Sequence, residues 1–144
     1  MTVAQLRSTY AHRLNLIDDG IISPPAELVS ATRGFVHRLG ALDDDDLIVL
    51  ETRPDGFAFL LAATGEVAGT LPVDPEFVAI QRWFAQLGFG LLVRPAEGRF
   101  WADLSRVESA AVVAPRYGQG ESPLDAASSA QRRYRQEELG EGGI

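Results

Sequence analysis

Cysteine and lysine are both missing from this chain of 144 residues, and methionine occurs once. Without cysteine there can be no disulfide, no thiolate metal site and no cysteine nucleophile. Every basic residue is arginine, a bias attributable to a GC-rich coding sequence rather than to function. No apolar run approaches the roughly 20 residues needed to span a bilayer. The opening stretch MTVAQLRSTYAHRLNL lacks the continuous apolar segment of a secretory signal, so a cytoplasmic location without membrane contact is expected. Only two histidines occur, His12 and His37. Each falls off the apolar stripe of its helix, and no third ligand accompanies them, so zinc is not expected. G-x-S-x-G, G-x-x-x-x-G-K and G-x-G-x-x-G are all missing. No cofactor is implied.

What is present is a globular composition, 46% hydrophobic and 23% charged, with a net charge of −7 placed unevenly. Residues 41–110 carry five arginines against twelve acids, whereas the flanking segments are nearly balanced. An acidic middle repels phosphate backbones, so nucleic-acid binding is not expected.

The spacing predicts a first helix over 3–18. Thr2 and Gln5 have capping-box spacing, and Val3, Leu6, Tyr10, Leu14 and Ile17 form one apolar stripe. A second helix is expected from Ser23 as cap and Pro24 as first helical residue, with Leu28, Ala31, Phe35 and Leu39 facing inward and Gly40 closing it. Strands follow at 47–52, 57–63 and 67–72, with RPDG (53–56) as the first turn. DPEFVAIQRWFAQLG is the clearest helix, with Phe77, Ile80, Trp83, Phe84 and Leu87 as its buried stripe. FGLLVR (89–94), PAEG (95–98) and RFWADL (99–104) make a further hairpin, in which Phe100, Ala102 and Leu104 face one way and Arg99, Trp101 and Asp103 the other.

SAAVVAP (109–115) fits either a short strand or a packed connection. PRYGQGESP (115–123) has the composition of a linker. The last helix, from Ser122 to about Leu139, has only a thin apolar face, Leu124, Ala127 and Tyr134. GEGGI (140–144) reads as disordered. The expected organisation is therefore one α+β domain over 1–114, followed by a linker and a C-terminal helical arm over 115–144.

Four consecutive aspartates, Asp43 to Asp46, precede the first strand. On an extended chain their side chains alternate between faces and diverge, so they do not build a metal site. They fit a solvated junction that flanks an aggregation-prone strand with like charge. Glu51, Asp103 and Glu108 are the remaining carboxylates with some chance of converging in the fold.

The order α-α-β-β-β-α-β-β-α implies helices packed on one largely antiparallel sheet of about five strands, headed by a helical pair. From the second helix onward this order resembles the type III secretion chaperone-like fold and its non-secretion bacterial relatives, over roughly residues 24–139. The resemblance implies a dimer that binds protein segments.

The expected function is a non-catalytic protein-binding module: a small acidic chaperone, adaptor or immunity-type protein with another, possibly basic, protein as partner. The candidate contact residues are Trp101, a large aromatic beside charged neighbours, and Arg132, Arg133, Tyr134, Arg135 and Leu139 of the last helix. A carboxylate enzyme or small-ligand protein is the alternative, and nucleic-acid contact through the C-terminal arginines the third.

Overall fold

The computed structural model describes residues 1–140, so the expectation of disorder for the glycine-rich end falls, Gly140 aside, outside the described residues. The chain divides into two compact units, Met1–Asp74 and Pro75–Ile144. Each holds two helices and a three-stranded antiparallel sheet. The single sheet of about five strands is thereby corrected: hydrophobic pattern identifies strands but not the sheet each one joins. The broad α+β class holds.

In the first unit, α1 (Val3–Asp18) begins with the expected capping box. The Thr2 amide donates to Gln5 Oε1 at 2.9 Å and the Gln5 amide to Thr2 Oγ1 at 3.2 Å. Helix α2 (Ala26–Leu39) starts later than Ser23 suggests, with Pro25 at the cap in an extended conformation and no side-chain cap. The reason lies in the Pro24–Pro25 pair. A residue before proline is pushed out of the helical region, so Pro24 cannot be the first helical residue.

The strands β1 (Ile48–Arg53), β2 (Gly56–Leu61) and β3 (Val67–Pro72) form a meander. Helix α2 crosses β3 closely: a Cβ on Gly69 would lie 2.6 Å from Phe35 Cε1 and nearer still to Cδ1. Phe35, Phe59 and Tyr10 cluster with ring centroids 4.7–6.0 Å apart and form the centre of this core.

The aspartates sit where the first unit closes on itself. The carbonyls of Asp44 and Asp46 accept the Ala4 and Val3 amides, at 3.1 and 2.9 Å, two donors at the helix start that lack intrahelical partners. Arg7 pairs with the Asp44 carboxylate at 2.8 Å. The run works mainly through its backbone, and its acidic side chains lie beside the positive end of the helix dipole.

The second unit opens with α3 (Pro75–Gln86), whose buried face is Phe77, Ile80 and Phe84. Trp83 is half-buried and Leu87 is exposed, so the stripe is narrower than its periodicity implies. Strands β4 (Phe89–Ala96), β5 (Arg99–Arg106) and β6 (Val112–Gly120) form the second sheet. Helix α4 (Pro123–Glu137) packs on it and on α3, with Ser122 as its N-cap.

The residues with linker composition are therefore largely strand. Gly118 and Gly120 pair with Ala102 and Phe100, and α4 lies directly on them. A Cβ on Gly118 would stand 2.6 Å from the Ala130 nitrogen and closer to the Ala126 carbonyl; one on Gly120 would stand 2.7 Å from the Asp125 carbonyl carbon. Facing these glycines, Ala126, Ala127 and Ala130 are fully buried. The thin face of the last helix is the complement of a glycine strand, a close backbone approach that larger side chains would prevent. Residues 115–137 belong to the core of the second unit rather than to a separable arm.

Candidate functional site

Alternation along β5 decides which side chains are available. Phe100, Ala102 and Leu104 point to the α4 side and are essentially inaccessible. Trp101 and Asp103 point to the opposite face. There Trp101 stands between Arg94 on β4 and Gln119 on β6, and Leu92 lies opposite Asp103.

The centre of this face is a bulge. Between the pairs Ala102↔Gly118 and Leu104↔Ala114, one residue of β5 opposes three of β6. Arg116, in the middle of the three, has a left-handed backbone, φ 50°. Such a conformation is costly for a side chain with a Cβ and persists only when its surroundings enforce it. Three contacts do so. The Arg116 amide donates to Asp103 Oδ1 at 2.7 Å. Its guanidinium donates to both carboxylate oxygens of Glu97, at 3.0 and 3.3 Å. The same guanidinium lies 4.7 Å from the centre of the Trp101 ring.

Asp103 is the buried hub. Its other oxygen accepts Arg94 Nε at 2.8 Å, and its side chain is only 9% exposed. A carboxylate held by a guanidinium and a backbone amide is a structural acceptor that completes the bulge, not a free base. Trp101 is fixed from below by its indole N–H, which donates to the Ala96 carbonyl at 3.0 Å. Glu97 and Gly98, both with positive φ, form the tight turn that brings Ala96 there. Arg99 reaches across the face to Gln119 at 2.6 Å. The outcome is a pinned, half-buried indole under an arginine, with Leu92 exposed nearby.

The other candidate residues lie elsewhere. Tyr134 packs edge-on against Trp83, Phe84 and Phe89, with centroids 5.7–5.8 Å apart, and so joins the unit's aromatic core. Arg135 stacks over Trp83 at 5.2 Å. Arg133 lies 4.3 Å from the centre of the Tyr117 ring and binds Glu137 and the Tyr117 carbonyl. Arg132 and Leu139 are exposed. Trp101 is thus on the face away from α4, and the six candidates do not form one surface. Arg116 was missed because it can be set opposite Asp103 only once β6 is known to be a strand, and Arg94 and Glu97 because the hairpin turns at Glu97-Gly98 rather than over 95–98, which sets Arg94 opposite Trp101.

Tyr117 has its phenolic oxygen enclosed without a hydrogen-bond partner. Burial, followed by the nearby Glu137 carboxylate, raises its pKa above the ordinary tyrosine value; Arg133 opposes the shift.

Among the described residues no group of three or more histidine, aspartate or glutamate side chains could hold a metal ion. His12 and His37 are both exposed. Glu51 is bound by Arg53 at 2.8 Å, and Glu108 lies exposed in the turn after β5. Among the same residues no helix is long and apolar enough to cross a membrane. No family model, curated protein or solved structure matches the chain.

Proposed function

We propose that this protein is a non-catalytic protein-binding module that contacts its partner through the Trp101 face of the second sheet. One observation carries this reading: an indole anchored at its nitrogen, roofed by Arg116 and left partly open beside Leu92. Tryptophan and arginine held rigid before contact are the residue types that dominate binding energy, since little side-chain freedom is lost on docking. The carboxylates that would serve an enzyme, Glu51 and Asp103, are occupied by arginines. The C-terminal arginines that would serve a nucleic-acid reader include two, Arg133 and Arg135, stacked on rings of their own unit.

Charge adds a second element. The eleven acids and five arginines of residues 1–74 steer basic partners, while residues 75–144, with nine acids and eight arginines, are close to neutral. The Trp101 face therefore selects by shape and apolar fit.

The test is a quantitative comparison of wild type with Trp101→Ala. Proteins captured by the wild type are identified, and the one that binds saturably is titrated by calorimetry. Trp101→Ala is expected to weaken that affinity by about 30-fold, the loss typical of a central tryptophan, with an unchanged circular dichroism spectrum. Equal affinity in the variant, or no saturable protein ligand for the wild type at any salt concentration, overturns the reading.

A further inference from the structure

Among the described residues, three of the four sheet edges carry an obstacle to strand addition. β3 ends in Pro72, and its ladder with β2 shifts register beside Phe59 and Leu60. β4 contains Pro95. β6 contains Pro115 and the left-handed Arg116 bulge. Missing donors and bulges are the devices by which edges avoid pairing with other chains. β1 has neither a proline nor a register shift.

The free groups of β1 are located by alternation. The Ile48 amide donates to Met1 O at 2.8 Å, away from β2, while the Leu47 carbonyl accepts the Ala62 amide at 2.9 Å, toward β2. Residues 48, 50 and 52 thus direct their N–H and C=O groups to the open edge. Met1 to Val3 cover the start of this edge, pairing with Asp46 to Ile48. Leu50 and Thr52 follow with no strand beside them among the described residues, and Val49, Glu51, Thr52 and Arg53 are exposed.

We propose that this open half of β1 is a homodimer edge, filled by β1 of a second copy in antiparallel register centred on Thr52. The occupant follows from the charges. Glu51 and Arg53 flank Thr52 and already pair along the strand at 2.8 Å. With the two-fold axis at Thr52, Glu51 lies opposite Arg53 of the second copy and Arg53 opposite its Glu51. An axis at Glu51 or Arg53 sets like charge against like. An axis at Leu50 drives the second copy into the edge held by Met1. In the Thr52 register the second copy turns away at Pro54, opposite Leu50, short of Met1. The edge is self-complementary, as an isologous interface must be. A pairing this short buries little area, so the dimer is weak and concentration-dependent. It uses a different unit from the Trp101 surface and does not depend on it.

Sedimentation over a wide concentration series tests the proposal. Wild type is expected to show a reversible monomer–dimer equilibrium. Thr52→Pro deletes only an edge-facing N–H and is expected to be monomeric at every concentration. Glu51→Arg and Arg53→Glu, which place like charges opposite, are each expected to weaken dimerisation by about tenfold, and the double reversal to return it to within about threefold of wild type. If Thr52→Pro fails to fold, the charge series decides alone. Trp101→Ala is expected to leave the dimer unchanged, which separates this proposal from the partner surface. A monomeric wild type, a dimer that survives in folded Thr52→Pro, or a double reversal no better than the single ones overturns it. So does a wild type that stays monomeric and pairs its β1 edge with a strand of another protein.

Discussion

Replacing Gly118 by alanine adds one methyl group at the point where α4 meets β6. That carbon would stand 2.6 Å from the Ala130 nitrogen, 2.8 Å from the Ala130 Cβ, and closer still to the Ala126 carbonyl oxygen. Two of these neighbours are helix backbone, which cannot rotate aside. Optimal carbon contacts lie near 3.5–4.0 Å, so α4 must withdraw by about 1 Å. A gap of that size forfeits about a quarter to a half of each contact made by Ala126, Ala127 and Ala130, all fully buried. Overpacking typically costs about 1–3 kcal/mol, and two rigid neighbours place Gly118→Ala near about 3 kcal/mol. For a unit of this size that lowers Tm by roughly 12–24 °C. The control is the same substitution at Gly34. It lies within α2, with nothing inside 4 Å of the added carbon. There the methyl group only reduces unfolded-state freedom, and a gain of about 0.5–1 kcal/mol is expected. Thermal and urea unfolding followed by circular dichroism measure both, and hydrogen exchange assigns each change to its unit. If Gly118→Ala lies within about 0.5 kcal/mol of wild type, the close approach of α4 to β6 is not what holds the second unit together.

Asp103→Ala removes the acceptor of the Arg116 amide and of Arg94 at once, and is expected to cost about 2–3 kcal/mol in urea unfolding; a loss under about 0.5 kcal/mol would mean that solvent replaces the carboxylate. Asp103→Asn keeps one acceptor and falls between. Tyr117→Phe deletes an enclosed hydroxyl that has no partner, so it is expected to leave stability unchanged or raise it by up to about 1 kcal/mol. Because the folded-state pKa of Tyr117 is raised, its contribution is fully present below the unfolded value of 10.0 and is lost as pH rises through the folded value. The wild-type minus Tyr117→Phe absorbance titration isolates that phenol, and Glu137→Gln is expected to move its midpoint down.

Local rules were legible where one residue's chemistry decides the outcome. The capping box at Thr2 and Gln5 fixed the start of α1, and the alternation from Arg99 to Leu104 identified which side of β5 is buried. They failed where two segments distant in sequence must be known together. Gly118 and Gly120 have turn composition, but in the presence of α4 they are the condition for close packing. Without β6 in place, Arg116 had no position relative to Asp103, and the alanines of α4 resembled a helix in want of a partner. The aspartates were legible only in part. Their side chains invited a chemical question, whereas the carbonyls of Asp44 and Asp46 hold the start of α1. The partition of the strands into two sheets left no trace in the hydrophobic pattern, which marks a strand but not its partners.

The division at Asp74 gives the chain an order of assembly during synthesis. Once residue 74 has emerged from the ribosome, every element of the first unit is available, including the Asp44–Ile48 segment that fastens residues 1–4. The second unit has no such early completion. Its β4–β5 hairpin emerges with Phe100 and Leu104 uncovered, and the helix that lies over its sheet is complete only at Glu137. A nascent chain paused between residues 106 and 123 therefore exposes an apolar sheet face after the first unit is complete, the interval in which chaperone capture or misassociation is most expected.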